Sequence, residues 1–208
     1  AGRLYGKEVS FTTNGISDPT GYINGYGYVG LGLSVKWATC NVGASSPIQY
    51  GDYYAWGETI TKSVYYKDNC PIYGLTISQL QSQGYIGSDG NLTSSHDAAT
   101  VNWGGSWRMP KKNELSELHN ECSWTHTTQG GHDGFKVTGP NGNSIFLPAA
   151  GYYSGSWPSS SGDYGYYWGA TPHDYDDGED ACSLSFYYGY VVGSDLRYYG
   201  CTIRPVSE

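Results

Sequence analysis

The sequence predicts an α+β fold of mixed antiparallel β-sheets with two short helices and extensive loops. Its 208 residues suffice for one well-buried core, and for two only if both were small, so a single domain spanning 1–208 is expected. Aromatic residues make up 16% of the chain, with 22 Tyr and 7 Trp, against 14% charged residues. Gly reaches 31 and helix formers are sparse, a composition that suits a loop-rich β-containing chain.

Taken in order, the first thirty residues are Gly-, Thr- and Asn-rich without periodicity, and residues 1–27 are read as an N-terminal extension. Leu31 to Cys40 alternates as a strand. Residues 74 to 84 hold a short amphipathic stretch around Ile77, Leu80 and Gln83. The clearest helix runs from Pro110 to Cys122, with Pro110 at its start and Leu115, Leu118 and Cys122 on one face, expected to pack on a sheet. Phe135 to Thr138, a turn at Pro140-Asn141-Gly142, and Ser144 to Leu147 read as a hairpin. Cys182 to Tyr187 alternates strictly, which points Cys182, Leu184 and Phe186 inward and Ser183, Ser185 and Tyr187 outward. Thr202 to Val206 closes the chain as a short strand, at an edge because of Pro205.

Several function classes are disfavoured. No apolar run is long enough to span a membrane, so no membrane insertion by this chain is expected, and Ala1 to Lys7 does not read as a signal peptide. The net charge is −8, and between Gly151 and Cys201 the acids Asp163, Asp174, Asp176, Asp177, Glu179, Asp180 and Asp195 face only Arg197, which makes nucleic acid a poor partner. Five cysteines without a CxxC pair argue against structural zinc; they read either as buried small hydrophobes or as including disulfides, with at least one thiol unpaired in a monomer. His126 and His132 lie on a Gly-rich loop with no third metal ligand in sequence reach. Asp174 to Asp180 could offer oxygens to calcium, but such charge runs are ordinarily solvated. Neither a Gly-x-Ser-x-Gly elbow nor a phosphate-binding Gly loop is present, and the chain reads as a binding module without cofactor or catalytic residue.

The positive signal is the composition of the C-terminal quarter. Residues 151 to 201 hold eleven of the 22 tyrosines, while every Lys, every Gln and the sole Met109 lie earlier. Tyr supplies rigid amphipathic contact area at low entropic cost and Ser and Gly adapt around it, the alphabet of antibody paratopes. Tyr also favours exposed strand faces in general. Yet the neighbours Tyr187-Tyr188 and Tyr198-Tyr199 cannot both point into the core of a regular strand, and exposed aromatic clusters mark binding sites. An Asn codon whose adenines are freely replaced never yields Lys, Gln, Glu, Met or Trp, and the tail obeys that exclusion except at Trp157, Trp168 and Glu179.

A family resemblance joins these observations. Trp37-Ala-Thr-Cys-Asn-Val-Gly-Ala44, Tyr54-Ala-Trp-Gly-Glu58, Trp103-Gly-Gly-Ser-Trp-Arg-Met-Pro110, Ile145-Phe-Leu-Pro-Ala-Ala-Gly151, Gly165-Tyr-Tyr-Trp168 and Ile203-Arg-Pro-Val206 look like the duplicated surface-protein domains of gut Bacteroidetes and their phages. The same blocks, from about Tyr28 to Val206, resemble the formylglycine-generating-enzyme branch of the C-type lectin fold. With its Tyr/Ser/Asp/Gly-rich end, the chain resembles the variable proteins of diversity-generating retroelements, in which adenine-directed mutagenesis rewrites surface positions on a fixed scaffold. The resemblance implies a C-type lectin-like domain with 151–206 as the variable ligand-binding segment, displayed outside the cell on a bacterial surface or a phage particle, with a protein or glycan ligand on a cell surface.

The residues expected to vary and to bind are Tyr153, Asp163, Tyr164, His173, Asp174, Tyr175, Asp176, Asp177, Ser183, Ser185, Tyr187, Tyr188, Tyr190, Ser194, Asp195, Tyr198 and Tyr199, with Trp168, Leu184, Phe186, Arg204 and Pro205 as scaffold. Two departures matter. The Glu-Pro-Asn or Gln-Pro-Asp turn and the Trp-Asn-Asp segment of calcium-dependent sugar-binding lectins are missing, and eighteen residues separate Cys182 from Cys201 where the enzymes of this branch have a close cysteine pair. An invariant adhesin on the same fold is the alternative.

Overall fold

The computed structural model describes residues 20–173, 178–187 and 189–208. It is an α+β fold of antiparallel sheets with three short helices among the described residues. β1 (Thr20–Ile23) and β2 (Tyr26–Gly30) form a tight hairpin in which Asn24 and Gly25 both take positive φ, 48° and 84°, as a two-residue turn requires. The segment expected to be an extension is therefore a sheet strand from Thr20 onward, and Asn24-Gly25 is the signal that marks it. β3 (Lys36–Ala38) and β12 (Val206–Ser207) complete this sheet in the order β1-β2-β3-β12, so the ten-residue alternating run contributes only three ladder residues.

A second sheet is the meander β4 (Ser123–Gln129), β5 (His132–Thr138) and β6 (Ser144–Pro148). The expected hairpin is present with Thr138 opposite Ser144, closed by a loop in which Gly139 N–H donates to the Asn143 carbonyl at 2.9 Å. His126 and His132 sit on β4 and β5, not on a loop: Gly130 and Gly131, both at positive φ, confine the turn to two residues. β7 (Tyr152–Ser154) pairs with β8 (Trp157–Ser159). β9 (Gly165–Pro172), β10 (Asp180–Phe186) and β11 (Tyr190–Leu196) make the sheet at the centre of the molecule, in the order β11-β10-β9.

Of the helices, α1 (Ile77–Ser82) buries Leu80 and is held at its start by reciprocal bonds between Thr76 and Gln79. α3 (Lys112–Glu121) buries Leu115 and Leu118 against β9, β10 and β11, as its apolar face requires. α2 (Ala98–Trp103), absent from the sequence reading, is too short to display a helical period. The buried Asp97 carboxylate caps it, accepting from Thr100 N at 2.9 Å, and also accepts from Met109 N at 2.8 Å.

Apolar packing lies on both sides of the central sheet. One cluster gathers Trp56, Trp107, Trp168, Ala181 and Cys201; the other gathers Trp37, Leu115, Leu118, Phe135, Leu184 and Phe186. Long irregular segments enclose these clusters, and their polar backbone groups are met by side chains. Trp56 Nε1 donates to the Gly169 carbonyl at 2.9 Å, and Trp168 Nε1 donates back to the Tyr54 carbonyl at 2.8 Å. Arg204, fully buried, donates to Asn41 Oδ1 and to the carbonyls of Ala38, Thr39 and Phe146. Arg197, also fully buried, donates to the carbonyls of Asp180, Ile72 and Leu75 and lies over the Trp56 ring. Cys40, Cys70, Cys122 and Cys201 are free thiols, and all of the cysteines but Cys40 are buried.

Replacing Arg204 by Leu would leave those four acceptors dry, and it is expected to cost on the order of 3 kcal/mol or more in urea unfolding. A loss below about 1 kcal/mol would mean that the acceptors find other donors.

Candidate functional site

The central sheet has two unlike faces. Leu184, Phe186, Tyr167, Val192 and Tyr190 share the face covered by α3 and the β4–β6 sheet. On the opposite face, Ser183 pairs with Trp168 and Gly193, Ser185 with Tyr166 and Val191, and Ala181 with Asp195. The inner end of this face is closed over by the first apolar cluster, to which Trp168 and Ala181 belong. Its outer end is lined by tyrosines and carries Val191 at 54% exposure.

Those tyrosines form a continuous series of touching rings. Tyr187 stacks on Tyr164 at 4.0 Å and 12°, and Tyr164 lies near parallel to Tyr166 at 6.2 Å. Tyr166 meets Tyr152 at 4.8 Å, Tyr152 meets Tyr199 at 4.8 Å, and Tyr199 meets Tyr198 at 4.9 Å. Tyr198 ends on Tyr73 at 5.3 Å. Rings locked against one another in this way lose little further freedom when a ligand covers them.

Two local features hold the series in place. Gly200 allows the backbone after Tyr199 to pass the Tyr65 ring, since a β-carbon there would lie 2.7 Å from it, and it pairs with Tyr153 through bonds of 2.8 and 3.0 Å. The β7–β8 hairpin is thereby pinned to the turn after β11, which brings Tyr152 against Tyr199. Gly165 likewise leaves room for the Phe186 ring, whose nearest carbon would be 2.1 Å from a β-carbon.

Of the residues expected to bind, Tyr164, Ser185, Tyr187, Asp195, Tyr198 and Tyr199 come together on this face. Asp163 is exposed in the turn before β9, on the rim of a hollow of about 320 Å³ shared with His126, Asp133, Phe135, Gly162 and Tyr187. Four placements require correction. Ser183 is buried, because the apolar cluster covers that end of the sheet; its hydroxyl donates to Asp195 Oδ2 at 2.5 Å. Tyr190 opposes Phe186 and so lies on the α3 face, stacked on Trp124 at 4.5 Å. Ser194 opposes Cys182 on that same face and donates to Asp180 Oδ2. Tyr153 turns inward onto Tyr53 and Tyr65, leaving its neighbour Tyr152 in the ring series.

His173 is half-buried at the end of β9, where its N–H donates to the Asp180 carbonyl at 3.2 Å. Asp174, Tyr175, Asp176, Asp177 and Tyr188 lie outside the described residues. The sequence reading missed Tyr152, Tyr166, Tyr73, Val191 and Gly193. Period-two spacing from Tyr164 would have found Tyr166.

Asp195 sits at the foot of the face. Burial pushes its carboxyl up from the ordinary 3.8 to about 6 against the Ser183 hydrogen bond, and the neighbouring Asp180 adds to the rise. Burial also raises Tyr166 and Tyr199 to about 12, with the Asp195 charge contributing to both. Among the described residues no three His, Cys, Asp or Glu side chains converge as a metal site, and no helix is long and apolar enough to cross a membrane. A groove of about 720 Å³ over β1 and β2, lined by Tyr22, Tyr26, Tyr28 and Trp103, contains none of the tail residues.

A carboxyl with a raised folded pKa binds its proton more tightly folded than unfolded, so its contribution to stability falls as pH rises from about 4 through 6 and is fully lost above. Asp195→Asn is therefore expected to stabilise the protein by about 1–3 kcal/mol at pH 8 and to have little effect at pH 3.5, read by urea unfolding. An equal effect at both values would remove Asp195 ionisation as the cause. No protein-family model, curated protein or solved structure matches the chain, so its functional reading rests on this face.

Proposed function

We propose that the chain is a ligand-binding display module on a C-type lectin-like fold, a variable protein of the diversity-generating retroelement kind, whose contact surface is the tyrosine face of β9, β10 and β11. The observation that carries this reading is the ring series from Tyr187 to Tyr73, which unites residues distant in sequence on one face. The division of labour along the strands supports it too. Trp168, Leu184, Phe186, Arg204 and Pro205 are buried, whereas Tyr166, Ser185, Val191, Gly193 and Asp195, on the face away from Leu184 and Phe186, are exposed or partly so. The module binds a protein or glycan on a cell surface, carries no catalytic centre, and acts outside the cell on a bacterial surface or a phage particle. One exposed aromatic does not fit the codon rule: Trp157 is 79% exposed and shares a hairpin face with Tyr152, as a fixed contact on an invariant adhesin would.

Sequencing the DNA around the gene separates the two. A diversified binder requires a near-copy of the 3′ end whose mismatches all fall at adenines and map to Tyr152, Tyr164, Tyr166, Ser185, Tyr187, Val191, Asp195, Tyr198 and Tyr199. An intact locus without such a copy makes the chain an invariant adhesin. For either, Ala at Tyr164, Tyr187 or Tyr198 is expected to weaken ligand binding by about 2 kcal/mol while lowering stability by less than about 1 kcal/mol. Unchanged affinity in all three variants would move the site elsewhere.

A further inference from the structure

The tyrosine face has a charge character that its aromatic content alone does not convey. From Gly151 to the end the chain contains no lysine and only two arginines, Arg197 and Arg204. Both guanidiniums are fully buried and spent on internal oxygens. The tail thus brings no lysine or arginine to the surface, while Asp195 lies at the foot of the face.

Asp195 accepts a side-chain hydrogen bond from Ser183, and among the described residues none of the ion pairs involves it. A carboxylate has about four lone-pair sites, so one hydroxyl leaves acceptor capacity unused. Tyr166 shares its face by register and Tyr199 stands in the turn that follows β11, the charge of Asp195 acts on both, and Tyr152 is in ring contact with each. π faces beside an incompletely neutralised carboxylate attract a cation twice over, through the ring quadrupole and through direct charge. A guanidinium satisfies both, since it is flat, weakly hydrated and carries forked donors, whereas an ammonium cannot stack.

We propose that this face selects protein ligands presenting an exposed arginine, whose guanidinium pairs with Asp195 and lies against the rings of Tyr152, Tyr166 and Tyr199. The inference rests on the face being the contact surface, and it adds the chemistry of what is contacted. An anionic ligand meets the opposite situation, with like charges and no exposed tail cation to receive it.

Ethylguanidinium is a suitable probe, with ethylurea as its neutral counterpart of nearly equal shape. In protein carrying carbon-13-labelled tyrosine rings, ethylguanidinium at neutral pH is expected to give saturable shifts of Tyr152, Tyr166 and Tyr199, and ethylurea none. Asp195→Asn should weaken the guanidinium at least threefold, while Glu121→Gln, exposed at the end of α3 on the other side of the sheet, should leave it unchanged. Equal response to ethylurea, or undiminished binding in Asp195→Asn, would overturn the arginine preference and leave the face standing as a contact surface. Saturable shifts confined to rings away from the central sheet would overturn both.

Discussion

Arg204 meets a problem that this fold creates for itself. Much of the chain is irregular yet packed against a sheet, so backbone carbonyls outside any ladder end up away from water. Its guanidinium spans Ala38 at the end of β3, Thr39 and Asn41 beyond it, and Phe146 on β6, joining two sheets to the chain's last segment. Burying a charge is costly, and burial depresses the Arg204 pKa below its usual value, but four oriented acceptors offset that cost. Arg197 and the reciprocal pair Trp56 and Trp168 repeat the solution around the central sheet.

Because these donors fix the surroundings of β9, β10 and β11, the sheet can carry two separate duties. One face supplies packing through Leu184 and Phe186 under α3. The other offers tyrosines that stack on one another and, at Tyr152, Tyr166, Tyr198 and Tyr199, pack against the first apolar cluster. Tyr166, Ser185 and Val191 point away from the packing under α3, the separation that a surface free to vary over its support requires. Asp195 is the exception, since it is held between the two environments and destabilises the fold when ionised.

The sequence was informative where one physical rule acted alone. The inward set Cys182, Leu184 and Phe186, the helical face of Leu115 and Leu118, and the hairpin from Phe135 to Leu147 each followed from periodicity or turn chemistry. It failed where tertiary context decided. Alternation places Ser183 on the face away from Leu184, but not that Trp168 and Ala181 carry the core over that end. The three residues between Phe186 and Tyr190 set Tyr190 out of phase with Tyr187, a matter of pairing register. In Tyr152-Tyr153 one ring must face inward, and only the docking of β7 on Gly200 settles which. Six residues of the tyrosine face were therefore readable as composition, and the remainder depended on contacts distant in sequence.

The thiols have a consequence for manufacture. Burial raises Cys70 and Cys201 above the usual thiol range and lifts Cys122 to about 11, so each stays protonated and unreactive at neutral pH. Cys40, half-buried, is the thiol that an oxidant reaches first, and the four buried ones are shielded while the core stays closed. As the display module proposed above, such a scaffold would need no change of redox compartment to fold.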